Sequence, residues 1–138
     1  MTTFAQIRDL VREQIAMVSD SARRRALEAL VLDEPRLEER PWDYGKPGEH
    51  LPYWVVAEEP GRGIILVYCD EGFGPEFPWG FLFTGDARWS SLGMDSQWAW
   101  YLEEAFVRAG LWPDGLGDDE VLHLPPEERF RTDRGAEA

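Results

Sequence analysis

Asparagine is absent from this chain, and cysteine and lysine occur once each, as Cys69 and Lys46. Without asparagine there is no N-glycosylation sequon. A single cysteine cannot close an internal disulfide, which agrees with a reducing cytoplasm. No apolar run approaches the roughly 18 residues of a membrane span. The first residues, Met1-Thr2-Thr3-Phe4-Ala5-Gln6, lack a basic segment followed by an apolar block, so no signal peptide is read there. Histidine is limited to His50 and His123, neither at metal-ligand spacing from a second soft ligand.

What remains is aromatic and acidic. Seven Trp and seven Phe within 138 residues, at 43% hydrophobic content, describe a globular chain able to bury its own core. The reading is one domain over residues 1–126 and a loose polar tail over 127–138. The net charge is −13 and unevenly placed: residues 1–32 carry five Arg against four acids, whereas 33–138 carry nine bases against 23 acids. Such a field repels nucleic acid and anionic membranes and attracts basic proteins. Solubility alone would also account for it.

Phe4, Ile7, Leu10, Val11, Ile15 and Val18 recur at helical spacing and predict an amphipathic helix. Ser19-Asp20-Ser21 offers a cap for a second helix over Ala22–Leu32. The Arg23-Arg24-Arg25 run reads as a solvated turn or as counter-charge for the acidic body. Pro35 closes that helix, and residues 34–52 read as a long surface connection pinned by Trp42 and Tyr44. Tyr53–Glu58 is a strand by residue type. Glu59-Pro60-Gly61-Arg62 predicts a type II turn into a second strand, Gly63–Asp70. Ile64, Leu66 and Tyr68 on one side and Ile65, Val67 and Cys69 on the other make that strand central and covered twice. Phe81–Thr84 continues the sheet, and Ala87–Leu92 is a short strand or an irregular return. The last helix is expected over Gln97–Ala109, capped by Asp95 or Ser96, with Trp98, Leu102, Ala105, Phe106 and Ala109 as its stripe. Glu104 and Arg108 should form an exposed i,i+4 pair. Gly110 and Leu111 fit a Schellman ending. The expected architecture is α+β: two N-terminal helices, a small antiparallel sheet of three to four strands and one C-terminal helix.

Catalytic templates fail in turn. Gly72-Phe73-Gly74 begins like a dinucleotide fingerprint but lacks its third glycine and runs into Pro78. No phosphate loop is present, and Trp89 stands where a nucleophile elbow at Ser91 needs glycine. Cys69 lies on a buried-looking strand, where a thiol is inert. Glu71 with Glu76 or Asp86 lacks any recognisable acid–base or metal spacing. The expectation is therefore a non-enzyme, with no cofactor and no metal.

The connection Asp70–Gly80 is the feature that points to binding. Phe73, Phe77 and Trp79 are held between glycines and prolines, which permit tight turns and lower the entropy lost on docking. The expected contact set is Phe73, Trp79 and Trp98, with Asp70, Glu71, Glu76 and Asp95 as an acidic rim. The alternative is that Phe77 and Trp79 fold under the sheet as core, covered by Trp98.

The runs Ile65–Tyr68, Gly72-Phe73-Gly74-Pro75, Pro78-Trp79-Gly80 and Gly93-Met94-Asp95-Ser96-x-Trp98, then Leu102–Phe106, resemble a pattern in small uncharacterised bacterial α+β proteins. In style the chain is also similar to immunity proteins of polymorphic toxin systems, which are small, acidic and α+β. The resemblance covers about residues 53–110 and brings no active-site residues with it. It implies a bacterial cytoplasmic binding protein. The acidity of residues 33–138, the stiffened aromatic loop and the missing catalytic constellation add the expectation of an immunity- or antitoxin-like protein that masks a basic partner such as a nuclease toxin. The competing readings are a ligand-binding or hydrolytic pocket lined by Trp42, Trp54, Trp79, Trp89 and Trp98, and a homodimer formed through the Phe73 loop.

Overall fold

The computed structural model describes residues 2–85 and 91–112. The tail, His123, Asp86 and Trp89 lie outside the described residues, as does most of Ala87–Leu92. The fold is α+β. Helices α1 (Phe4–Ala16) and α2 (Ser21–Glu28) precede strands β1 (Val31–Pro41), β2 (His50–Glu59), β3 (Ile64–Tyr68) and β4 (Trp79–Phe83). A 3-10 turn at Asp95–Gln97, a two-residue β5 (Trp98–Ala99) and α3 (Leu102–Arg108) follow. The five strands form one antiparallel sheet in sequence order, so β3 is central. Its doubly apolar sequence requires that place, and Ile64, Ile65, Leu66 and Val67 are all buried.

The two faces of the sheet are closed differently. On one, Trp54, Val56, Leu66 and Trp79 pack under the helices through Ile7, Val11, Leu27, Leu102 and Phe106. On the other, Tyr53, Val55, Ile65, Val67 and Leu82 pack with Leu92 and Trp98, and with Trp42, Phe73 and Phe77 at the margin. No helix contributes to this second cluster among the described residues.

Caps fix the helix ends. Thr3 and Gln6 form a capping box on α1, and the Asp20 carboxylate accepts from Arg23 N–H at the start of α2. Neither Asp95 nor Ser96 caps α3. Its first amide, Leu102 N–H, donates instead to the Gln14 side chain of α1 at 2.9 Å. At the other end Gly110 (φ +79°) sends its N–H to Val107 O, and Leu111 N–H reaches Phe106 O, completing the expected Schellman motif.

Several expectations give way. The helix expected to run to Leu32 stops at Glu28, and within the expected connection over 34–52 residues 34–41 belong to β1 and 50–52 to β2. Pro35 is tolerated because β1 is an edge strand and the register breaks between Val31 and Arg36, where a proline costs no ladder bond. The sheet thus has five strands rather than three or four. At Pro60-Gly61 the left-handed residue is Gly63 (φ +64°), so the turn closed by Arg62 N–H to Glu59 O is not type II. The last helix begins at Leu102, five residues later than expected, because Trp98 and Ala99 pair with Gly80 and Trp79. Glu104 does pair with Arg108 at 3.1 Å, but it is 1% exposed rather than on the surface. Of the three arginines, Arg23 is the internal counter-charge: it is buried, meets Glu103 at 2.6 Å, and lies over the Trp112 ring.

Candidate partner-binding face

The β3–β4 connection is built from tight turns. Gly72 takes a left-handed backbone (φ +65°), and Gly74 N–H returns to Glu71 O at 2.9 Å. A Cβ on Gly74 would stand 2.6 Å from Asp70 O, so only glycine fits that turn. Phe77 N–H donates to Phe73 O, and Cys69 N–H to Pro78 O closes the base. Asp70 faces inward: its carboxylate accepts from Thr2 N–H at 2.7 Å and from the Thr2 hydroxyl. Burial works to raise its pKa, but bonds from Thr2 and Tyr68 outweigh this and hold it below the ordinary carboxylate value.

The seven expected contact residues divide. Trp79 and Trp98 are 2% and 3% exposed and belong to the core on opposite faces of the sheet. Trp98 lies flat on Gly80, where a Cβ would be 2.7 Å from its ring atoms, and its Nε1–H donates to Leu92 O. Phe73 does not project from an outward tip. It is half-buried, with its ring 5.0 Å from Trp42, 5.5 Å from Tyr44 and 6.2 Å from Trp98. Glu71, Glu76 and Asp95 are exposed.

Tyr44 and Met94 were not among the expected contacts, yet they are 61% and 59% exposed. Tyr44 packs on Trp42 at 5.2 Å, so the 42–49 loop and the 70–78 loop brace each other through three rings. The available signal was Trp42-x-Tyr44 inside a Gly- and Pro-rich stretch, a place where large rings need a support. Exposed Asp43 and Glu49 lie on the same loop as Tyr44.

Elsewhere the chemistry is closed. Cys69 is buried and donates to Pro52 O at 3.3 Å; burial pushes its thiol up to about 11. Tyr53 is raised to about 12, chiefly by burial, with Arg40 opposing and Glu38 adding to the shift. Among the described residues no group of three His, Cys, Asp or Glu side chains is placed to hold a metal. No helix there is long and apolar enough to cross a membrane. A cavity of about 340 Å³ lies between α1 and β1, lined by Arg8, Val11, Arg12, Ile15, Leu32 and Pro35 among others, with no described tryptophan. Trp54 and Trp79 lie on one side of the sheet and Trp42 and Trp98 on the other, so these four do not line one cleft.

The fold thus defines a small α+β protein with one helix-covered and one loop-covered sheet face. No family model, curated protein or solved structure matches the chain.

Proposed function

We propose that this chain is a non-enzymatic, acidic binding protein that masks a basic protein partner, in the manner of an immunity protein acting on a nuclease toxin. The supporting observation is the braced Trp42–Tyr44–Phe73 triangle, which presents Tyr44 to solvent on the loop that carries exposed Asp43 and Glu49. Rigid aromatics lose little entropy on docking and supply much of the energy at an interface. Asp43, Glu49, Glu71, Glu76 and Asp95 supply an acidic surround, and among the described residues of these loops Lys46 is the one base. Together with the net charge of −13, this favours fast, salt-sensitive capture of a cationic surface. Trp98 serves this face from beneath, by seating its loops, whereas Trp79 lies in the core on the helix side of the sheet. Affinity capture from the source cell at low and high salt is the test. A basic protein should be retained at low salt and lost with Glu71→Lys/Glu76→Lys. Recovery of only nucleic acid or acidic proteins overturns the reading.

A further inference from the structure

The cavity between α1 and β1 has two unlike walls. On α1, Val11 and Ile15 line it one turn apart, and Arg8 and Arg12 stand one turn apart beside them. From β1 come Val31, Leu32, Asp33 and Pro35. This is the stretch in which β1 leaves its ladder. Val31 is opposite Ala57 and Arg36 is opposite Val55, so residues 32–35 stand against Val56 alone. A bulge of this kind bends the strand and re-aims its side chains, and such bends recur beside active sites. At about 340 Å³ the hollow falls at the small end of ligand sites, which run from about 300 to about 1,000 Å³.

Its charges are arranged for an anion. Arg8 and Arg12 occupy i and i+4 positions on α1, a like-charge pairing that weakens a helix unless something negative offsets it. Within the chain that offset is slight. Arg8 makes no ion pair among the described residues and lies 5.8 Å over the Phe4 ring. Arg12 meets Asp9 at 3.6 Å with both side chains 70% exposed, a pairing of the sort that contributes little. Both guanidiniums therefore keep donors for a ligand. Asp33 is the one carboxylate lining the cavity, so its rim carries two cations against one anion. The chain as a whole, at −13, repels anions in proportion to their charge, which disfavours phosphate esters and polyacids. A single carboxylate suffers least from that field and fits the planar guanidinium fork. The walls formed by Val11, Ile15, Val31 and Pro35 in turn require a body without polar groups.

We propose that this cavity binds a small apolar monocarboxylate, with its head at Arg8 and Arg12 and its body against Val11, Ile15, Val31 and Pro35. The site shares no residue with the aromatic face and stands whether or not a basic partner is captured there.

Titration of the intact, isotope-labelled chain with phenylacetate, followed through its amide shifts by NMR, tests the proposal. Saturable shifts should gather at Val11, Ile15, Val31, Leu32 and Asp33. Phenylacetamide keeps the ring without the charge, and acetate keeps the charge without the ring. Each should bind about tenfold more weakly than phenylacetate, or worse. Arg8 and Arg12 are exposed, so they can be changed without touching the core. Arg8→Gln and Arg12→Gln should each weaken phenylacetate about fivefold to tenfold, with circular dichroism to verify folding. An absence of saturable shifts up to about 10 mM overturns the proposal, as do shifts centred on other residues. Phenylacetamide or acetate binding as well as phenylacetate overturns it too, since the place is then an apolar surface or a charged one only. So does unchanged affinity in both folded arginine variants.

Discussion

The two faces of this sheet reach comparable burial by different means. The helix face is closed by aliphatic side chains at regular spacing: Ile7 and Val11 from α1, Leu27 from α2, and Leu102, Ala105 and Phe106 from α3. The loop face has no helix among the described residues, so its strands are closed by rings set on irregular backbone, chiefly Trp98, Phe73, Phe77 and Trp42. A helix buries a stripe and turns its polar side to water, leaving little that is distinctive outside. A loop that must cover the same width uses fewer and larger side chains, and their margins reach the surface. The same substitution class should therefore report differently on the two sides: stability on the first, stability with recognition on the second.

The largest effect is expected on the helix face. Phe106→Ala removes a fully buried ring and should cost about 3–5 kcal/mol in urea denaturation. A loss under about 1 kcal/mol would show that the helices do not supply the main core. Next comes the loop face, where Gly80→Ala drives a Cβ into the Trp98 ring and should cost about 1–3 kcal/mol, with a shift in tryptophan emission. A neutral Gly80→Ala would mean that the ring is not seated there. Smaller still is an alkaline effect, to which Tyr68 on the helix side contributes through a phenol raised by burial and the loop face through Tyr53 and Cys69. All three groups bind their protons more tightly folded than unfolded. Their contribution is thus fully present below the ordinary values, 9.0 for the thiol and 10.0 for the phenols. For Cys69 and Tyr53 it is lost as pH rises through about 11 and about 12, respectively. Melting temperature should fall from pH 9 upward, and Cys69→Ala should flatten the early part of that fall. An unchanged slope in the variant would remove the thiol from the account. Smallest is Tyr44→Ala, expected to stay within about 0.5 kcal/mol of wild-type stability while weakening partner capture. If stability drops by much more, the ring is structural after all.

How far the sequence announced this arrangement depends on which forces set each element. The central strand was legible because Ile64–Cys69 is apolar on both sides, and the end of α3 because Gly110-Leu111 carries its own geometry. β1 was hidden: its side chains are charged and interrupted by Pro35, and only its edge position makes that composition admissible. Trp98 was misplaced because it falls on the same period as Leu102, Ala105 and Phe106. What decides its place is the bare surface of Gly80 on a neighbouring strand, which no local pattern reveals. At the candidate face the acids Glu71, Glu76 and Asp95 were correctly exposed. Tyr44 was read as an anchor although its ring is open to water, because only the contact with Phe73, across the sheet in sequence, lifts it there.

One small contact has a consequence for how the protein assembles. Gln14 on the first helix supplies the acceptor that the opening amide of the last helix lacks locally. The two elements are separated by 88 positions, so neither end can settle into its final state by itself. During synthesis the first helix can cover part of its apolar stripe on α2 and the early strands, but the part that meets α3 stays open until residues 102–108 have been made. Truncation before Leu102 should therefore loosen the beginning of the chain as surely as it removes the end.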